Sequence, residues 1–179
     1  MIKDLRITVA FPVILLLLAQ LPPFVTLSAQ SSFTCSVGGK EFNGTIKEVS
    51  VVQMNKEKLI QMNVVNGDKI IYLYLQESKI KNLPATLKYI EHDDANSVSP
   101  ESELIWVPDG PDNPQWNSVE GKTIVTQFDS ANKTISGTFN FKVEKFEYTS
   151  NEDQKRPSME ITDGKFTNIT YKEALSQGK

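Results

Sequence analysis

The sequence has one cysteine and one histidine among its 179 residues. A single cysteine excludes an intramolecular disulfide, so a hydrophobic core must hold the fold together. A single histidine, His92, removes most of the acid–base chemistry that titrates near neutral pH without a shifted pKa. We therefore expect a protein that is not an enzyme and that uses no cofactor and no metal ion.

Clustered positive charge is also missing. Lys and Arg number 19 against 22 Asp and Glu, a formal net charge of −3, and no basic block occurs along the chain. Nucleic-acid binding needs grouped Lys or Arg to face the phosphates. We expect no nucleic-acid partner.

The one long apolar run lies at the start of the chain. Residues 1–6 carry net positive charge, residues 7–19 are nearly all apolar, and a segment with two prolines then ends at Ala29. This layout is typical of a secretory signal and predicts cleavage between Ala29 and Gln30. The alternative is an uncleaved membrane anchor, but the run reaches the roughly 20 apolar residues of a span only by including Gln20 and both prolines. We predict an exported protein, either periplasmic, in the outer envelope or extracellular.

Helical periodicity is absent from residues 30–179. Short runs of alternating polar and apolar residues recur instead, bounded by Gly, Asn, Asp and Pro, as in antiparallel β structure. The length of this region suits one domain. We predict a single all-β domain of eight or nine antiparallel strands, folded as a sandwich or a flattened barrel.

A first hairpin is indicated by Asn66-Gly67, which lies between two apolar runs. Both residues tolerate the positive φ of a two-residue hairpin loop, which predicts that Val65 pairs with Asp68. Alternation then places one set of side chains on the core face: Ile60, Met62, Val64, Ile71, Leu73 and Leu75.

A second hairpin has its tip at residues 129–132. Beyond the tip, one face collects Ile135, Gly137, Phe139, Phe141 and Val143. The alternation changes phase after this run, which predicts a bulge near Lys145. A bulge or tight bend at Asp163-Gly164 interrupts the last predicted strand.

Residues 77–121 are rich in proline, so regular strands there must be short. Residues 86–90 and 104–107 are predicted as short edge strands, and the remainder as loop. Loops held on a rigid β scaffold commonly carry recognition. This segment is therefore where we expect a binding surface.

Three aromatic residues of this segment are the candidate binding residues: Trp106, Trp116 and Tyr89. Exposed aromatics on loops suit the recognition of a protein or glycan partner. The other interpretation is that these side chains cover an open end of the core, since large aromatics are mostly buried.

Three patterns favour ordinary structure over chemistry. Residues 91–94, which include His92, form an acidic run without the spacing of a known metal site. Residues 109–113 consist of turn-forming residues and lack the ligand alternation of a calcium loop. Gly121-Lys122-Thr123 lacks the upstream glycine of a phosphate-binding loop, because position 116 is Trp.

Four segments of the chain occur in combination. They are Phe-Thr-Cys-x-Val-x-Gly-Lys-x-Phe at residues 33–42, Gly-Lys-Thr-Ile-Val at residues 121–125, Asp-x-x-Asn-Lys-x-Ile-Ser-Gly-Thr-Phe-x-Phe at residues 129–141, and Ile-Thr-Asp-Gly-Lys-Phe-x-Asn-Ile at residues 161–169. Together they resemble a family of small exported bacteroidete proteins of unknown function, many of which are lipoproteins. The resemblance implies an exported β domain and carries over no activity and no catalytic residue.

Cys35 departs from the lipoprotein pattern of that family. It lies inside the first predicted strand, and Phe33 precedes it where lipid attachment needs small residues. We expect Cys35 to be a small buried apolar residue. Asp129-Ser130-Ala131 resembles the O-glycosylation acceptor of exported bacteroidete proteins, which makes Ser130 a candidate for modification, although the same residues suit an ordinary turn.

These observations predict an exported, non-enzymatic β domain that binds a partner or is associated with the envelope. The membrane would be contacted only through an uncleaved leader. The first alternative is a barrel that holds a small ligand, unless Phe128, Phe139 and Phe141 fill its interior. The second is a small hydrolase that uses the face formed by residues 77–121.

Overall fold

The computed structural model describes residues 30–54, 57–90, 100–146 and 156–173. The strands are β1 (Ser32–Val37), β2 (Lys40–Met54), β3 (Glu57–Asn66), β4 (Lys69–Gln76), β5 (Ala85–Lys88), β6 (Ser102–Val107), β7 (Trp116–Asp129), β8 (Thr134–Lys145) and β9 (Ser158–Thr170). A 3-10 turn, Glu77–Lys79, follows β4. Among the described residues no helix is long and apolar enough to cross a membrane. The prediction of an all-β domain is confirmed.

Eight strands close into an antiparallel barrel. Their order around it is β7, β6, β4, β3, β2, β1, β9 and β8, and β8 pairs with β7 to complete the circle. The ninth strand, β5, lies outside this closed set and pairs with the middle of β7, from Lys122 to Val125. Of the two architectures that the sequence left open, the structure is therefore a closed barrel with one additional strand.

The proline-rich segment contains more regular structure than we expected. The strand predicted at residues 86–90 is β5, and the one predicted at residues 104–107 is β6. β6 is not an edge strand, because it pairs with β4 on one side and with β7 on the other. β7 begins at Trp116, within the part predicted as loop.

The β3–β4 hairpin has the predicted faces and a different register. Asn66 pairs with Lys69, so the loop consists of Gly67 and Asp68, and the predicted pairing of Val65 with Asp68 is wrong by two positions. Gly67 takes a φ of 61°, as the first loop position of a type II′ turn requires. A shift of two residues leaves every side chain on its face, and all six predicted core residues are fully buried.

The second predicted hairpin is formed by β7 and β8. The Asp129 carboxylate organises its turn by accepting hydrogen bonds from the N–H groups of Ala131 and Asn132, both at 2.9 Å. The predicted inward face of β8 is buried along its whole length: Ile135, Gly137, Phe139, Phe141 and Val143. β8 ends at Lys145, so the change of phase there marks the end of the strand and not a bulge.

β9 is bulged where the sequence predicts it. Its register shifts against both β1 and β8 around Asp163, which has a φ of 54°. The next residue, Gly164, pairs with Phe139, and a Cβ on Gly164 would lie 2.4 Å from the Phe139 ring. Only glycine lets the ring lie this close to the strand.

One continuous cluster of buried apolar side chains fills the barrel. At its centre the Phe139 ring lies 5.1 Å from Phe33, 6.3 Å from Phe141 and 6.5 Å from Phe166, measured between centroids. Such aromatic contacts stabilise a core beyond the area that they bury. The middle of the barrel is therefore occupied by side chains.

The residues after β9 close one end of the barrel. Tyr171 is 1% exposed and stacks on Phe128 with centroids 5.9 Å apart. The backbone of Lys172 then forms a parallel bridge beside Ser50 of β2, accepting a hydrogen bond from Val51 N–H at 2.8 Å and donating one to Val49 O at 3.0 Å. The C-terminal segment thus covers the end at which the β7–β8 turn lies.

Buried hydroxyl groups complete the contact between β6 and β7, which share only two ladder pairs. Ser118 Oγ accepts a hydrogen bond from Leu104 N–H at 3.1 Å. The hydroxyls of Ser102 and Thr123 bond to each other at 2.8 Å. Beyond the two β6–β7 ladder pairs, these hydrogen bonds provide partners for the buried hydroxyl groups and for the Leu104 N–H.

Candidate mouth cleft

The end of the barrel opposite Tyr171 carries a cleft of about 300 Å³, here called the mouth cleft. It lies between the β1–β2 turn, the first residues of β4 and β9, and the last residues of β6. Its volume is at the lower end of the range for small-molecule sites. The cleft therefore has room for a small organic molecule and not for a long chain.

The floor of the mouth cleft is apolar. Trp106 of β6 is 5% exposed and meets Phe42 of β2 edge to face, with centroids 5.6 Å apart and ring planes at 88°. Val37 and Met159, both partly buried, form the walls and pack against the core. Alternation explains this composition, because Trp106 and Met159 occupy the inward-facing positions nearest the mouth on their strands, and Phe42 is the inward-facing residue next to Lys40 on β2.

Two lysines stand at the rim. Lys40 pairs with Val37, and Lys69 pairs with Asn66, so each begins a strand next to a tight turn. Both are exposed and both line the cleft. Because they continue the inward-facing alternation of β2 and β4, their stems lie at the mouth while the ammonium groups remain hydrated.

Neither rim lysine forms an ion pair with a carboxylate in the part of the chain that the structure describes. Glu41 is the carboxylate that lines the cleft. Its Oε1 accepts a hydrogen bond from the side-chain amide of Asn43 at 3.0 Å. The mouth cleft therefore combines an apolar floor with two lysines that form no ion pair among the described residues and one carboxylate that is hydrogen-bonded to Asn43.

The three aromatics predicted from the sequence occupy different positions. Trp106 is in the floor of the mouth cleft, and Trp116, partly buried, pairs with it across β6 and β7. Tyr89 follows β5, where its N–H donates a hydrogen bond to Gly121 O at 3.0 Å. All three pack against the core. The structure thus brings the two tryptophans together and leaves Tyr89 elsewhere, and their role in binding stays a prediction.

Most residues of the mouth cleft were not singled out by the sequence: Val37, Lys40, Phe42, Lys69 and Met159. A usable signal was present in the turns. Gly38-Gly39 and Gly67-Asp68 are both tight turns, and alternate turns of an antiparallel meander fall at the same end of the sheet. Residues next to these two turns therefore lie at the same end of the barrel once the order of the strands in the sheet is known.

The remaining candidate patterns behave as ordinary structure where they are described. Gly121-Lys122-Thr123 lies inside strand β7 and opens no helix. Residues 109–113 form a turn in which Asn113 N–H donates to Gly110 O at 3.2 Å. His92 lies outside the described residues, and within those residues no group of three or more His, Cys, Asp or Glu could hold a metal ion.

Cys35 lies on the inward face of β1 and is 4% exposed. Burial raises the pKa of its thiol to about 12. A thiol that stays protonated is a poor nucleophile, so this cysteine is chemically quiet in the folded protein. Ser130 is exposed in the β7–β8 turn, and its modification stays a prediction. Ala29 lies outside the described residues, which begin at Gln30.

No protein-family model, no curated protein sequence and no solved structure matches this chain. The resemblance to a family of exported bacteroidete proteins therefore stays a prediction. The function has to be argued from the mouth cleft and its surroundings.

Proposed function

We propose that this protein is an exported, non-enzymatic binding domain that holds a small organic molecule with an apolar body in the mouth cleft. One observation carries the proposal: the apolar floor at Trp106 is open to a cleft of about 300 Å³. The middle of the barrel is filled and its other end is covered by Tyr171. A ligand therefore finds apolar contact at this mouth.

The side chains that line the cleft favour binding over catalysis. They offer two lysines, one hydrogen-bonded carboxylate and apolar contact area. General acid–base or nucleophilic chemistry needs a pair of groups within hydrogen-bond reach of each other. No hydrogen bond or ion pair joins Lys40, Lys69 and Glu41 among the described residues. The lining of the mouth cleft therefore supports a binding role.

The predicted leader supports export. The position of Cys35 inside β1 supports an exported form that has no lipid anchor. Lipid attachment would cleave the chain directly before the modified cysteine. That cut would remove Phe33 and Thr34, which pair with Gly44 and Asn43 of β2 and with Phe166 and Lys165 of β9. The loss of fully buried Phe33 would leave a large hole in the core. We therefore propose that the mature chain starts near Gln30 without a lipid.

The proposal is tested with N-phenyl-1-naphthylamine, a neutral dye that fluoresces in apolar surroundings. We expect saturable binding to the purified protein, with energy transfer from tryptophan, because Trp106 forms the floor. Met159→Trp should fill the cleft and abolish binding. Val119→Trp is the matched control, since Val119 is 37% exposed and does not line the cleft, and it should bind the dye normally.

Thermal unfolding of both variants shows whether they are folded. Absence of saturable dye binding to the unaltered protein would contradict the proposal. Equal binding by folded Met159→Trp and Val119→Trp would also contradict it, because the dye would then occupy another surface.

A further inference from the structure

We infer that the ligand of the mouth cleft is a small organic acid, with its apolar body on the Trp106 floor and its anionic group between Lys40 and Lys69. The inference rests on the proposed function and adds the charge of the ligand. It rests on the observation that two lysines without ion-pair partners among the described residues line an apolar cleft.

The topology explains why the two lysines come together. β3 lies between β2 and β4 in the barrel, and Lys69 pairs with Asn66 at the end of β3. Lys40 lies on the part of β2 that extends beyond the end of β3, because the β2–β3 ladder reaches only to Thr45 opposite Val65. Each lysine follows a tight turn, and both turns lie at the same end of the barrel. Both lysines therefore line one cleft, although a complete hairpin separates them in the sequence.

Two other lysines of the described chain form ion pairs with carboxylates. Lys79 Nζ lies 2.9 Å from Glu101 Oε1, and Lys133 pairs with Glu173. Lys40 and Lys69 have no such partner in the described residues, in a chain whose formal net charge is −3. The positive charge at the cleft is thus available to a ligand.

The apolar floor increases the effect of this charge. Water is excluded from the side of the cleft formed by Trp106 and Phe42, which lowers the effective dielectric constant beside the rim. The negative charge of Glu41 repels an anionic ligand, and this repulsion is weakest while the carboxylate accepts its hydrogen bond from the Asn43 amide. A carboxylate or a sulfonate fits the two ammonium groups, and hydrocarbon fits the floor.

The competing explanation is that the two lysines only keep the hairpin ends soluble. The two explanations are separated by a matched pair of dyes. 8-Anilinonaphthalene-1-sulfonate has the ring system of N-phenyl-1-naphthylamine and one additional sulfonate. A substitution that changes the binding of the sulfonate dye and not that of the neutral dye therefore acts through charge.

We expect the double variant Lys40→Gln, Lys69→Gln to weaken sulfonate binding about tenfold at low ionic strength, from roughly threefold for each exposed charge pair. Binding of the neutral dye should change less than about twofold, because its apolar contacts remain. Added salt should weaken sulfonate binding to the unaltered protein and have little effect on the double variant. Both dissociation constants are read from fluorescence titrations.

Lys165→Gln is the control for net charge, since Lys165 is exposed on β9 and does not line the cleft. It should leave both dissociation constants unchanged. If the double variant binds the two dyes as the unaltered protein does, or weakens both equally, the inference about the anion is wrong and the proposed function stands. If the neutral dye does not bind at all, the proposed function fails and the inference fails with it.

Discussion

Phe139 lies where three other aromatic rings and one glycine meet. Its neighbours are Phe33, Phe141 and Phe166, and the opposing residue on β9 is Gly164. Alternation alone predicts that Phe139 faces inward. That its ring lies against a glycine follows from the β8–β9 register, which the bulge at Asp163 sets.

This position gives the first stability prediction. Phe139→Ala should lower the free energy of unfolding by about 3–5 kcal/mol, because it removes a buried ring from a packed cluster. Thr138→Ala is the matched control on the same strand, and it should stay within about 0.5 kcal/mol because Thr138 is exposed. Urea denaturation of both variants is the measurement. Similar midpoints for the two would contradict the inward placement of Phe139.

At the scale of the elements, the positions of the strands can be predicted from the sequence, whereas their pairing and register are harder to predict. The Asn66-Gly67 pair predicts a hairpin because both residues tolerate positive φ, yet the loop formed is Gly67-Asp68. Both loops preserve the buried face, so alternation does not distinguish them. Pairing of β3 with β2 and of β4 with β6 extends the observed register across the sheet.

The C-terminal segment gives the second stability prediction. Tyr171→Ala should cost about 3–5 kcal/mol, since it empties the covered end of the barrel. Lys172→Ala should cost far less, because Lys172 is exposed and contributes backbone hydrogen bonds that alanine keeps. Thermal or urea unfolding compares the two variants. A small effect of Tyr171→Ala would mean that this end of the barrel is not sealed by the tyrosine.

At the scale of the whole molecule, charge and hydrophobicity are distributed in a way that suits export and binding. An apolar run, predicted to be a secretory leader, precedes a β domain whose buried apolar cluster contains its only cysteine. Lys40 and Lys69 stand at the open mouth, and the Lys133–Glu173 pair stands at the covered end. The two ends of the barrel therefore differ in both packing and charge compensation.

Processing of the chain is tested on the native exported protein. We expect an intact mass that corresponds to a chain starting at Gln30 or within a few residues of it, with no acyl group, because Cys35 is buried inside β1. Mass spectrometry of the intact protein is the measurement. A mass that retains residues 1–29, or one that includes acyl chains on Cys35, would overturn this prediction.

The sequence by itself determined the fold class, the inward faces of the main hairpins and the bulge at Asp163-Gly164. These features are local, since side chains alternate along a strand with a period of two and turn residues act on their own backbone. Trp106 was also recognisable, because a large aromatic in a proline-rich segment is conspicuous.

Only the tertiary structure decided between sandwich and closed barrel, and only it assembled the mouth cleft. Closure depends on the two ladder pairs between β6 and β7 and on buried hydroxyl bonds, none of which has a local pattern. The cleft takes residues from β1, β2, β4, β6 and β9, which lie far apart in the chain. Lys40 and Lys69 look like ordinary hairpin lysines in the sequence. They come to one mouth because β2 and β4 both lie beside β3 and alternate turns of this meander fall at the same end, and strand order is a property of the whole sheet.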